Sequence, residues 1–227
     1  MTGVADHDDR GKGEHMSTTI TDRLRRRARR VANARRGERG AAAVEFALIL
    51  PIVAALTFGL IDGSLTFFRW TAISQASRAG ARTVSEMGTN QLADYKTLQA
   101  VAEMLSNVAP EDINRVVIYN ADDGRDDTPM DNPPPAACLT SATGVADTCN
   151  VYTAADLGQT REQYAAAGRF AGWNPLTRDD EDDADGVDYV GVYVRAALKT
   201  PTKMLGKDRT VSEFTVVRLE PRPTPYP

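Results

Sequence analysis

Residues 35–61 read RRGERGAAAVEFALILPIVAALTFGLI, an arginine-rich stretch that passes through a glycine into a long apolar run. The run, residues 41–61, contains one ionisable side chain, Glu45. About twenty apolar residues at 1.5 Å per residue cover the hydrocarbon core of a bilayer, which is roughly 30 Å thick. The run therefore predicts one transmembrane helix.

The charges on either side of this run are unequal. Nine arginines lie between Arg23 and Arg39, whereas the first basic residue after the run is Arg69. Because basic residues stay on the cytoplasmic side, we expect residues 1–40 to form a cytoplasmic leader and residues 62–227 to lie outside the cytoplasm. An arginine-rich tail can also bind nucleic acid, but its place beside an apolar helix favours topology setting and contact with anionic lipid. We expect no nucleic-acid partner.

A secretory signal peptide has the same order of basic and apolar residues, but its apolar core has about 7 to 15 residues and ends in a small-residue cleavage site. Here the apolar run is longer and is followed by Asp62-Gly63-Ser64, which favours a retained helix.

A carboxylate inside such a helix costs about 2.5 to 3.5 kcal/mol, so Glu45 needs a partner. Either it reaches back to Arg39 or the headgroup layer, or cleavage between Gly40 and Ala41 creates an α-ammonium that Glu45 neutralises.

Two motifs carry a resemblance to a known family. Basic residues, Gly40 and then AAAVEF, from Ala41 through Glu45 to Phe46, resemble the processing site of type IV pilin-like proteins. Further on, FGLID at 58–62 and AISQASRAGAR at 72–82 resemble the TadE-like pseudopilins of tight-adherence (Flp-type) pilus systems.

This resemblance implies a prepilin peptidase that cuts after Gly40, with Glu45 as an assembly determinant. The other implied partners are an inner-membrane assembly platform, a secretion ATPase acting indirectly, and other pilins. Met16 is an alternative start of the leader.

The remaining chain predicts an α+β domain. Residues 62–87 have no proline and continue the helical spacing of apolar and small residues, so the first helix extends to a break at 88–90. A second helix at 91–108 has one apolar face, and Pro110 ends it. Segments rich in Val, Tyr and Phe predict strands at 115–120, 188–198 and 212–220. We expect a pilin-like fold, with the second helix packed on one face of a three- to four-stranded antiparallel sheet.

Two segments lack periodicity, residues 1–22 and the long insert 121–187. We expect the first to be disordered and the second to be irregular apart from a short helix at 161–170. Cys138 and Cys149 lie in the insert on the extracytoplasmic side, which predicts a disulfide that stabilises the fold by about 2 to 3 kcal/mol.

The acidic loop 179–188 also lies in the insert. It places Glu181, Asp183 and Asp185 at alternating positions before a glycine, as in the first half of a calcium loop. The bidentate glutamate of such a loop is replaced by Val192. A looser calcium site and a solvated loop both remain open.

Catalytic patterns are lacking in the sequence. Both histidines, His7 and His15, lie in the leader, so the ectodomain has no His-based triad or His-ligated zinc. A Gly-rich phosphate loop is also missing. We expect no enzyme activity, no cofactor and no small-molecule substrate. The favoured function is a TadE-like minor pilin in the inner membrane, N-terminus in; the alternative is an uncleaved single-pass membrane protein whose ectodomain binds a ligand or an envelope component.

Overall fold

The computed structural model describes the backbone of residues 13–122, 129–167, 172–181, 187–200, 202 and 208–221, and their side chains except those at 13–24, 27–39 and 129. The chain divides into two compact units, Met1–Thr57 and Phe58–Pro227. The first helix, α1, contributes residues to both.

Helix α1 extends over Gly13–Met87 and has Pro51 inside it. The predicted continuation of the apolar helix to residue 87 is confirmed. The helix ends because Gly88 adopts φ +52°, a left-handed conformation that glycine allows, while its N–H donates to the carbonyl of Val84. At the other end the structure differs from the expected disorder, since residues 13–22 are helical. This segment contains Gly, Ser, Thr and Asp, which are weak helix formers, so its own propensity does not account for the helix. Residues 1–12 lie outside the described residues.

Of the five strands in the described part of the chain, three are the predicted ones. The strands are β1, Ile113–Asn120; β2, Gly144–Val145; β3, Cys149–Tyr152; β4, Tyr189–Leu198; and β5, Arg209–Arg218. They form one antiparallel sheet in the order β2-β3-β1-β4-β5. The α+β class is therefore confirmed, but within the described residues the sheet has five strands rather than three or four.

The two extra strands come from the insert that the sequence predicts to be irregular. All four residues of β3 are buried, so the segment shows none of the alternation by which a strand is recognised. The insert also contains short helices. The helices after α1 are α2, Ala93–Met104; α3, Ala136–Thr140; α4, Ala154–Leu157; and α5, Arg161–Ala166, with 3-10 turns at Pro110–Asp112, Pro129–Asp131 and Pro175–Thr177. Of the helix predicted at 161–170, residues 168–170 lie outside the part that the structure describes.

The sheet has a core on each face. On one face, alternate residues of β1 and β4 pack against α1 and α2, with Ile73, Val84, Leu98, Val116 and Val192 fully or almost fully buried. On the other face, residues such as Val117 and Tyr193 pack against the disulfide and α3. Helices were expected on one face alone. The insert covers the second face because that face is apolar too and must be shielded from water.

Candidate membrane and processing segment

The residues of the predicted processing site lie together on α1. Gly40, Ala41, Glu45 and Phe46 are all exposed. A Cβ added to Gly40 would meet no atom of the described residues within 4 Å, so alanine would fit at this position. Packing in this structure therefore does not require glycine at position 40.

One stretch among the described residues, Gly40–Met87, is a helix long and apolar enough to cross a membrane. None of the residues in its most apolar window is buried in the structure. Within Gly40–Met87, the large exposed apolar side chains are Val44, Phe46, Leu48, Ile49, Leu50, Ile52, Val53, Leu56, Phe58, Leu60, Ile61, Leu65, Phe67, Phe68 and Trp70. A continuous apolar surface of this size needs an apolar cover, which a bilayer supplies.

Polar groups within this stretch are mostly satisfied inside the helix. The hydroxyl of Thr57 donates to the carbonyl of Val53 at 2.8 Å. Pro51 has no N–H, so the carbonyl of Ala47 lacks its usual helical donor. Glu45 has no hydrogen bond or ion pair with any side chain that the structure describes, and the side chain of Arg39 lies outside that set. The two interpretations of Glu45 both remain predictions.

The small residues of the AISQASRAGAR motif serve core packing in the Phe58–Pro227 unit. A Cβ added to Gly80 would lie 2.8 Å from Cγ2 of Val101 on α2 and 3.0 Å from Cγ1 of Val192 on β4. Both distances are shorter than normal van der Waals contacts. Glycine thus allows α1 to approach α2 and the sheet at this point.

Polar side chains of α1 attach the helix to β5. The hydroxyls of Ser77 and Thr215 lie 3.1 Å apart, and the Ser85 hydroxyl donates to the carbonyl of Arg218 at 2.7 Å. The backbone N–H of Glu220 returns a bond to the Ser85 carbonyl. These contacts align α1 with β5.

Asp62, which ends the apolar run in the sequence, is fully buried. Its carboxylate accepts hydrogen bonds from the backbone N–H and the hydroxyl of Thr202. Nearby, Arg69 donates to the carbonyl of Lys199. The chain just after β4 therefore covers the first charged residue that follows the apolar run.

A buried polar network that no sequence pattern indicated links α2 to the insert. Asp94 and Arg178 form an ion pair, and Asp94 also accepts hydrogen bonds from Asn150 at 2.7 Å and Tyr152 at 2.8 Å. Burial, followed by the charge of Asp94, raises the pKa of Tyr152 well above 10, so its hydroxyl remains a donor. The Asn150 side chain also exchanges two hydrogen bonds with the backbone of Trp173. In the sequence, Arg178 directly precedes the acidic loop 179–188, and no pattern marks it as a buried residue.

The acidic loop is only partly described. The backbone N–H and hydroxyl of Thr89 both donate to Asp180, and the backbone N–H of Asp179 donates to Asp188 at 2.8 Å. Asp183 and Asp185, two of the predicted calcium ligands, lie outside the described residues. Within the described ranges, no three His, Cys, Asp or Glu side chains are grouped as a metal site. Calcium binding by loop 179–188 stays a prediction.

The predicted disulfide is present. Cys138 on α3 and Cys149 on β3 are joined, and both are fully buried. The guanidinium of Arg115 on β1 donates to the carbonyls of Cys138 and Leu139 at the end of α3. The disulfide and Arg115 together hold α3 against the sheet.

These features define a class of protein with one candidate membrane-spanning helix and a disulfide-bonded α+β unit. The family model described as TadE-like protein matches residues 40–82, a range that includes the exposed apolar segment and the packing motif around Gly80. The resemblance predicted from the sequence is thereby confirmed over these residues, which carry a TadE-like segment of the kind found in pilus-associated proteins. Neither a curated protein nor a solved structure matches the chain.

Proposed function

We propose that this chain is a minor pilin or pseudopilin, a structural subunit in the assembly of a tight-adherence (Flp-type) pilus. The observation that carries the proposal is the TadE-like match over residues 40–82, which begins at the glycine of the predicted processing site. In this function the chain inserts into the inner membrane with its N-terminus in the cytoplasm. A prepilin peptidase then cleaves between Gly40 and Ala41, and the apolar part of α1 packs among other pilins. The chain itself performs no catalytic step.

The geometry at Gly40 supports cleavage by an external partner. Alanine would fit there, so the glycine has no packing function among the described residues. A missing side chain lets another protein approach the backbone closely, and glycine weakens a helix by about 1 kcal/mol relative to alanine. Both effects favour entry of the Gly40–Ala41 bond into a protease site, where an extended backbone is required.

Glu45 is well placed to pair with the new N-terminus. Residues four apart lie on the same face of a helix, and side chains lean towards the N-terminal end of the helix axis. The carboxylate of Glu45 therefore leans towards Ala41, whose α-ammonium forms on cleavage. Where packed pilin helices exclude water, this pairing neutralises two charges that would each be costly alone. The same carboxylate can accept the α-ammonium of a neighbouring subunit.

The test is the N-terminal sequence of the membrane-extracted protein, expressed with and without its native peptidase. We expect a start at Ala41 when the peptidase is present and an uncut leader when it is absent. Gly40→Ala should abolish cleavage, whereas Gly59→Ala should not. Gly59 is a matched control because it is another glycine of α1 with open space around it.

An uncut N-terminus in the presence of an active peptidase would overturn the proposed processing. The result would then favour the uncleaved single-pass protein whose ectodomain binds a ligand or an envelope component.

A further inference from the structure

Exposed apolar side chains continue on α1 beyond the predicted membrane run. Leu65, Phe67, Phe68 and Trp70 are 38%, 64%, 55% and 45% exposed, although they belong to the Phe58–Pro227 unit. We call these four residues the juxtamembrane belt. The rings of Phe67 and Trp70 pack edge to face, with centroids 6.1 Å apart. Since each residue turns a helix by about 100°, Phe67, Phe68 and Trp70 point in three different directions.

Polar side chains at the same level already have protein partners. The indole N–H of Trp70 donates to the carboxylate of Glu213 at 2.7 Å. Asp62 is bonded to Thr202, and Arg69 to the carbonyl of Lys199. Hydroxyls in the same turns bond to helix carbonyls: Ser64 to Ile61, Thr66 to Asp62 and Thr71 to Phe67. A surface with its polar groups bonded internally suits an environment that is poor in water.

We propose that the juxtamembrane belt lies in the interfacial layer of the bilayer, where lipid headgroups and the upper acyl chains cover it. A continuous α-helix from Val44 to Trp70 corresponds to about 40 Å at 1.5 Å per residue. This length exceeds the roughly 30 Å hydrocarbon core but matches the 40 to 45 Å of a bilayer with its headgroups. Tryptophan prefers this layer, and the positive charge of Arg69 suits lipid phosphate. Trp70 thus marks the level at which α1 leaves the lipid.

The different directions of the belt side chains favour lipid over a single protein partner. One neighbouring helix would cover one side of α1, whereas lipid surrounds it wherever the rest of the unit does not. The inference rests on α1 spanning the membrane and is independent of cleavage after Gly40. Its failure can therefore be distinguished from failure of the proposed pilin function.

Depth-dependent quenching of tryptophan fluorescence tests the proposal. The uncleaved full chain is placed in vesicles of phosphatidylcholine and phosphatidylglycerol that carry nitroxide labels at the headgroup, at acyl carbon 5 or at acyl carbon 12. In Trp173→Phe, which retains Trp70, we expect headgroup and carbon-5 labels to quench at least twofold more than the carbon-12 label. In Trp70→Phe, which retains the buried Trp173, we expect little quenching by any label.

A second measurement does not depend on replacing Trp173. Nitroxide attached at Phe68→Cys should be more accessible to oxygen than to a water-soluble nickel complex, while the label at Gln75→Cys should show the reverse. Gln75 is a matched control because it is an exposed α1 residue just beyond the belt. Equal nickel accessibility at both positions would overturn the proposal. Lipid quenching of Trp70 that disappears as protein density rises would also overturn it, because the belt would then be covered by a second copy of the chain.

Discussion

Asp94 and Arg178, 84 positions apart in the chain, form an ion pair in which both side chains are fully buried. Asp94 lies in the first turn of α2, and Arg178 directly follows the 3-10 turn Pro175–Thr177. The guanidinium also lies over the ring of Trp173, 4.5 Å from its centroid. This one pair therefore fixes the end of the insert to the second helix.

Removal of one partner should destabilise the protein strongly. Arg178→Met leaves Asp94 as a buried charge without its counter-ion, and Asp94→Leu does the same to Arg178, so each should lower the free energy of unfolding by about 3 to 5 kcal/mol. The double variant should lose less free energy of unfolding than the two single variants lose together, because neither buried charge remains. Chemical denaturation of the full chain in detergent micelles measures these values. A single variant within about 1 kcal/mol of the parent would show that the pair is not an important buried contact.

Gly80→Ala should disturb the crossing of α1 with α2 and β4. The added methyl would lie 2.8 Å from a methyl of Val101, and valine has little rotamer freedom with which to yield. Overpacking of this kind costs about 1 to 3 kcal/mol. Gly59→Ala, the same change at an open position of the same helix, should leave the free energy of unfolding unchanged or raise it by up to about 1 kcal/mol. Thermal unfolding in micelles compares the two, and equal melting temperatures would contradict the packing function of Gly80.

Asp188→Asn should stabilise the protein at neutral pH. Burial raises the pKa of Asp188; the charges of Asp179 and Asp122 raise it further, while a hydrogen bond from the Asp179 N–H and the charge of Arg178 oppose the shift. Because the folded state holds this proton more tightly than the unfolded state, stability falls as pH rises from the unfolded pKa, about 3.9, through the raised folded pKa. Asparagine keeps an acceptor for the Asp179 N–H but carries no charge.

The melting temperature of Asp188→Asn should therefore exceed that of the parent at pH 7, and the difference should shrink as the pH approaches 4. Melting curves of both proteins across this range provide the measurement. A difference that grows towards acid pH would show that Asp188 is stabilised as a carboxylate, contrary to the expected sign.

Glu45→Gln should separate membrane insertion from assembly, if the proposed pilin function holds. The glutamine variant should insert and be cut to Ala41, but it lacks the charge that neutralises the new α-ammonium. Loss of even about 1.4 kcal/mol of pairing energy would reduce assembly tenfold. Immunoblots of sheared filaments measure the assembled protein, and immunoblots of membranes measure the inserted protein. Glu86→Gln is the control and should assemble normally, because Glu86 forms only an exposed ion pair with Arg82 at the helix surface. Normal assembly by Glu45→Gln would contradict the proposed function of Glu45.

The elements that followed from the sequence are those with a repeating pattern. Helix α2 was found from its apolar face, and β1, β4 and β5 were found from runs of Val, Tyr and Phe. Strand β3 was missed because it is only four residues long and buried on both faces, so neither length nor alternation marks it. The helical backbone at 13–22 was missed because the segment has no apolar periodicity and is made largely of weak helix formers, Gly, Ser, Thr and Asp.

The candidate processing segment was predicted residue by residue, since Gly40, Ala41, Glu45 and Phe46 form a continuous motif. The Asp94 network could not be predicted in this way. Its members belong to α2, β3 and the end of the insert, and an isolated aspartate or arginine in a sequence reads as a surface residue. Only the folded chain shows that each has a buried partner.

The sequence by itself determined the candidate membrane-spanning segment and the TadE-like match that includes it, because hydropathy and local motifs are properties of consecutive residues. It also determined the disulfide, since the chain has two cysteines. The tertiary structure alone decided which charged groups leave water. Asp62 and Asp94 are fully buried because partners 140 and 84 positions away replace their hydration. Contacts over such separations depend on how the sheet and helices assemble, which no local pattern encodes.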